Sequence, residues 1–206
     1  MFIEVPKFIK RIFPDLIWSF ASSEHQRKEV FLTFDDGPTP EITEWILATL
    51  SNYNAKATFF CLGKNVELYP DLAQKIVDEG HAIANHTYSH QKGFGMSVER
   101  YVQDIDLADE YIHSPLYRPP YGHITPSQAR RLSERYKIIM WNVLSRDYSS
   151  VLKPEKCAEM VVKNTKLGSI VVFHDSVKSF KNMSYALPIL LKHLQENGIE
   201  CKKIEV

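Results

Sequence analysis

EVFLTFDDGPTPEITEWILATLSNYNAKATFFC (residues 29–61) carries the reading of the fold. Residues 30–34 are an apolar run rich in aromatic and β-branched side chains, and Asp35, Asp36, Gly37 and Pro38 break it with turn-forming chemistry. Pro40 then opens a helical stretch to residue 50, proline being well suited to a first helical turn, and residues 57–61 form a second strand-like run. Strand, turn, helix and strand at this spacing make a βαβ unit, in which the strands are parallel and the crossover right-handed.

The alternation continues outward. Residues 81–84, 116–118, 138–141, 169–173 and 200–204 read as further strands, seven in all, and residues 70–79, 97–112, 126–136, 154–165 and 185–197 as helices. Val98, Tyr101, Ile105, Ala108 and Ile112 step by three and four into one apolar stripe, as do Leu187, Leu190, Leu191 and Leu194. Gly80, Gly168 and Gly198 stand where helices should stop. Two architectures fit, an open doubly wound sheet or a small barrel. In both, ligands gather at the carboxyl ends of the strands.

The 206 residues balance 25 Lys+Arg against 25 Asp+Glu, with 44% hydrophobic residues. That composition describes one globular domain and argues against a dedicated nucleic-acid binder, which needs a basic excess. Cys61, Cys157 and Cys201 are too scattered for a disulfide framework or a thiolate zinc cluster and read as reduced core residues. Residues 1–28 are expected to pack on or flank a catalytic domain at 29–206. Glu4, Lys7, Lys10, Arg11, Pro14 and Asp15 interrupt the apolar stretch a signal peptide requires, and no window reaches a membrane span, so the reading points to the cytoplasm. Peripheral membrane contact by residues 8–20, which mix Phe8, Ile9, Ile12, Phe13, Ile17 and Trp18 with cations, is the lesser alternative to packing on the domain.

Titratable residues follow one strand after another: Asp35 and Asp36, His86 and His90, Arg118, Asp147, then His174 and Asp175. Each has an ordinary reading by itself. Asp-Asp-Gly-Pro makes a turn, His86 and His90 share a face only if their segment is helical, and a histidine after an apolar strand is often a core residue. Their recurrence at a single end of the sheet is improbable as filler. Two imidazoles and a carboxylate form a common catalytic zinc set, which leaves a second carboxylate and a further histidine for proton transfer.

TFDDGP (residues 33–38), HTYSH (86–90), RPPYG (118–122), the segment around Asp147 and VVFHD (171–175) resemble, in order and spacing, the five motifs of the polysaccharide deacetylases, the family-four carbohydrate esterases with the NodB homology fold. The resemblance spans residues 29 to the C-terminus and implies a distorted (β/α)7 barrel. It implies Asp36, His86 and His90 as ligands of a divalent metal, zinc before cobalt or nickel, and Asp35 as general base paired with Arg118. It further implies the Tyr121 backbone N–H as oxyanion donor and His174 as general acid tuned by Asp147. The expected reaction removes N-acetyl groups from N-acetylglucosamine-containing glycans of chitooligosaccharide or peptidoglycan type. The alternatives are an O-acetyl esterase or other amide hydrolase of the same fold, and a silent carbohydrate-binding relative. Two positions depart from the family pattern: Tyr148 stands where tryptophan often follows the aspartate, and Val172 where leucine is usual. Tyr88, Phe94, Tyr121, Tyr148 and Phe180 are the candidate sugar-stacking rings.

Overall fold

The computed structural model describes residues 13, 15–20 and 28–205. Eight strands are present among them: β1 (Glu29–Asp35), β2 (Ala57–Cys61), β3 (Ala82–Asn85), β4 (Leu116–Tyr117), β5 (Lys137–Ile138), β6 (Val143–Leu144), β7 (Ile170–His174) and β8 (Glu200–Cys201). The helices are α1 (Ile42–Asn52), α2 (Gly63–Leu68), α3 (Pro70–Asp78), α4 (Val98–Asp109), α5 (Pro126–Ser133), α6 (Pro154–Asn164) and α7 (Val177–Glu196), with a 3₁₀ turn at Pro120–Gly122. Seven strands pair in parallel in the order β5-β4-β3-β2-β1-β7-β6, and β8 adds to the start of β1. The result is the distorted (β/α)7 barrel that the motifs implied, a curled parallel sheet with helices outside.

Strand periodicity sorts the side chains of β1 between its two faces. Val30, Leu32 and Phe34 pack outward into a core shared with α1, α6 and α7, including Ile46, Val161, Leu187 and Leu190. Phe31 turns inward to a second cluster with Phe60, Ala84, Leu116, Ile139 and Ile170. Asp35, two pleats beyond Phe31 on the same face, therefore arrives at the carboxyl end inside the curl.

The N-terminal segment fills the side of the curl that no strand occupies. Ile17 bridges Ile139 in parallel and Ser19 bridges Ser169 in antiparallel fashion. Ile17 N–H donates to the Ile138 carbonyl at 2.9 Å, Met140 N–H to the Ile17 carbonyl at 2.7 Å, and Phe20 N–H to the Gly168 carbonyl at 2.9 Å. Leu16 and Trp18 are buried among Tyr101, Tyr117, Leu132 and Ile138. Phe8, Ile9 and Ile12, named for the lesser alternative of membrane contact, lie outside the described residues. No helix among the described residues is long and apolar enough to cross a membrane.

Several boundaries differ from expectation. The last helix begins at Val177 rather than residue 185, because Ser179, Asn182 and Met183 bury against the domain and extend the stripe N-terminally. α2 and β6 were not anticipated; both are short, six and two residues, and lack a full period of pattern. β4 and β5 are also shorter than expected, at two residues each. The three cysteines are free and buried.

Candidate active site

HTYSH is not helical. Thr87 and His90 both take left-handed backbone conformations, φ 66° and 62°, so the two imidazoles converge through a turn rather than along a helix face. Asn85 Oδ1 accepts from Thr87 N–H at 2.8 Å, Thr87 Oγ1 accepts from His90 N–H at 2.9 Å, and Asp104 on α4 holds Ser89 through its hydroxyl at 2.7 Å. Asp36 (φ 81°), Tyr121 (φ 60°) and Arg146 (φ 57°) adopt the same uncommon conformation. Among the described residues, five of the seven non-glycine residues with positive φ thus lie in the loops around this end of the sheet.

Asp36, His86 and His90 place one ligand atom each within 4.8 Å of one another. Asp36 Oδ1 lies 3.1 Å from His90 Nε2 and 3.7 Å from His86 Nε2, yet it is buried without a hydrogen bond among the described residues. His86 Nδ1 meets the Arg118 carbonyl oxygen at 2.8 Å, which requires Nδ1 to carry the proton and leaves the Nε2 lone pair toward Asp36. Burial pushes His86 down to about 4, against the pull of Asp35 and Asp36, so the ring is neutral at neutral pH. Burial opposes charge on Asp36 too, but His90, His86 and His174 around it outweigh that and hold the carboxyl well below the usual range. An orphaned anionic oxygen facing two imidazole nitrogens fits a divalent cation.

Arg118 and Asp35 form the second element. Arg118 is fully buried, with Nη1 donating to Asp35 Oδ1 at 2.6 Å and to Thr33 Oγ1 at 2.7 Å. Its Nε and Nη2 donate to the carbonyls of Ile139 and Met140, each at 3.0 Å, and its guanidinium lies 3.9 Å above the Phe60 ring. Asp35 Oδ1 is thereby occupied, while Oδ2 stands 4.0 Å from His86 Nε2.

His174 and Asp147 form the third. Asp147 Oδ1 accepts from His174 Nδ1 at 2.7 Å and Oδ2 from His174 N–H at 2.8 Å, which leaves Nε2 as the nitrogen available to the cavity. Burial disfavours imidazolium there, but the charge and hydrogen bond of Asp147 outweigh it and raise His174 to about 9. The loop carrying Asp147 is anchored from α7, where Asn182 Nδ2 donates to the carbonyls of Asp147 at 2.9 Å and Ser149 at 3.1 Å.

Asp35, Asp36, His86, His90 and His174 line one cavity of about 460 Å³ together with Tyr121, Tyr148 and Val172, while Arg118 and Asp147 are buried and reach it through Asp35 and His174. The anticipated set is brought together, Tyr121 through its lining position. Tyr88 and Phe180 are not at the site: the Tyr88 hydroxyl donates to Glu67, and Phe180 packs edge-on against Trp45. His123, Trp141, Leu144, Ser176 and Lys178 line the cavity without having been singled out. All but Leu144, which lies in β6, follow strands at their carboxyl ends, and that rule could have found them.

A cation-ready triad between an anchored carboxylate and an imidazolium is the layout of a candidate metal-assisted hydrolase. The sequence model of the family described as "Polysaccharide deacetylase" matches residues 22–138. The chain belongs to the polysaccharide deacetylase family, a family of hydrolases. It is similar to two proteins of Bacillus cereus, each named peptidoglycan-N-acetylglucosamine deacetylase: 36% identical over 75% of this chain and 58% of the first, and 33% identical over 88% of this chain and 87% of the second. The chain thus spans less than two thirds of the first relative's length. A chitooligosaccharide deacetylase of Rhizobium leguminosarum bv. trifolii is 32% identical over 76% of this chain and 75% of its own length. The crystal structure of a peptidoglycan N-acetylglucosamine deacetylase in complex with 4-naphthalen-1-yl-N-oxidanyl-benzamide superposes with a TM-score of 0.88 at 29% identity, covering 97% of this chain and 95% of that one.

Proposed function

We propose that this protein removes N-acetyl groups from N-acetylglucosamine-containing glycans with the help of a divalent cation, zinc before cobalt or nickel. The observation that carries the reading is the placement of Asp35–Arg118 and His174–Asp147 around one cavity with Asp36, His86 and His90. The names of its relatives, peptidoglycan and chitooligosaccharide deacetylases, point to the same substrate class.

Asp36, His86 and His90 would hold the cation, which supplies Lewis acidity to the acetyl carbonyl and the attacking water. Asp35 Oδ2, left free because Arg118 occupies Oδ1, takes a proton as the water oxygen bonds to the carbonyl carbon. His174 Nε2–H donates its proton to the nitrogen as the carbon–nitrogen bond breaks, so acetate and a free amine leave. The Tyr121 backbone N–H is the donor for the developing oxyanion. An acid and a base held in different environments can carry opposite protonation states at one pH.

Metal stripping, reconstitution with zinc, cobalt or nickel, and measurement of released acetate test the reading. Acetate is expected from N-acetylated chitooligosaccharides or peptidoglycan fragments, and only with metal. Release from acetylated xylan alone would make the protein an esterase, and release from none of the three would remove the proposal.

A further inference from the structure

We propose that Phe94 and His123 form a second sugar-binding subsite, which takes a pyranose two or more units removed from the reacting one on the same oligosaccharide; the inference rests on the glycan reading above. Phe94 is 54% exposed, yet its loop is fixed. Gly93 N–H donates to the His123 carbonyl at 3.1 Å, and the fully buried Gln128 side chain donates to the carbonyls of Gly93 at 2.8 Å and Met96 at 3.3 Å. Gln128 Oε1 accepts in turn from Thr125 N–H at 2.9 Å. A Cβ at Gly93 would overlap the His123 carbonyl oxygen, so glycine is what lets this loop approach so closely.

The ring itself lies against His123, with centroids 4.7 Å apart and planes 13° from parallel. His123 is 5.8 Å from Tyr121, and Tyr121 is 4.7 Å from His90. Aromatic rings therefore run without a break from a proposed metal ligand, along the cavity lining, to the surface. His123 stacks against Phe94, and about half of the Phe94 residue is still left in water. A ring serving only to plug its loop would be buried. A ring fixed in place and left wet is a prepaid contact surface, because its ordering cost is met before any ligand arrives. The C–H face of a pyranose is apolar and flat enough to stack on it, as other rings do.

The test is calorimetric binding of N-acetylglucosamine disaccharide and tetrasaccharide to the zinc-loaded full chain carrying Asp35→Asn, with Phe94, Phe94→Ala or Phe94→Trp. Phe94→Ala should weaken tetrasaccharide binding by about tenfold and the disaccharide by much less, while Phe94→Trp keeps the tetrasaccharide affinity. Equal losses at both lengths, no loss, or no binding of either oligomer would overturn the subsite. Acetate release by the protein with Asp35 intact is read separately. Length-dependent binding through Phe94 without any acetate release would keep the subsite and remove the deacetylase reading.

Discussion

Asp35 and Asp36 are neighbours in the chain with opposite surroundings. Asp35 ends a regular strand and points into the curl toward Arg118, whereas Asp36 leaves the strand at φ 81° and swings its carboxylate to His86 and His90. Asp35→Asn should keep the Arg118 contact and the metal triad while lowering acetate release by roughly 10²–10⁴-fold. Full activity with metal retained, measured by metal content beside turnover, would exclude Asp35 as the base. His174 predicts a pH dependence with a definite sign. An acid raised to about 9 is protonated below that pH, so amide turnover falls as pH rises through it. Asp147→Asn removes the charge that opposes burial, and the alkaline limb of kcat should move down toward or below 6.5, the ordinary histidine value. A limb unmoved by that substitution would separate His174 from the proton transfer.

At the scale of elements, the residues 15–20 segment stands in for a strand, and its seat depends on Gly168. Gly168 has φ 77°, and a Cβ there would overlap the Phe20 carbonyl oxygen, whereas Gly198 has φ 63° and open space around it. Alanine at either position meets the left-handed penalty of about 1–2 kcal/mol. Gly168→Ala should lower the Tm further than Gly198→Ala because it also dislodges the segment, and equal shifts would show that the segment adds nothing to stability. Element existence was largely legible in advance: 30–34 and 57–61 are short, nearly continuous apolar runs with turn residues between them, and the α4 stripe is unambiguous. β6 was not, since two residues carry no period. Residues 177–184 of α7 were missed because this stretch carries a charge-and-polar mixture, with Asn182 buried where it donates to the Asp147 loop.

For the whole molecule, the proposed cation links folding to the site, because its ligands come from the turn after β1 and the loop after β3 and meet only when the sheet has formed. At free zinc near a hundred times Kd, binding adds about 2.7 kcal/mol to stability. For a chain of this size each kcal/mol moves Tm by about 2–4 °C. Thermal unfolding with and without zinc should show that rise, and His86→Ala should abolish it; an equal rise in the variant would place the metal elsewhere. The sequence alone determined the alternating parallel architecture and which titratable residues follow its strands, because strand period, turn residues and contiguous motifs are local properties of the chain. The partnership of His174 with Asp147, the Arg118 carbonyl that sets the His86 proton, and the ring contacts of His90 with Tyr121 and of Phe94 with His123 join residues 27 to 32 positions apart. Only the closing of the sheet brings those groups within bonding distance, so only the tertiary structure decided which nitrogen holds a proton, which oxygen is left free and which ring remains in water.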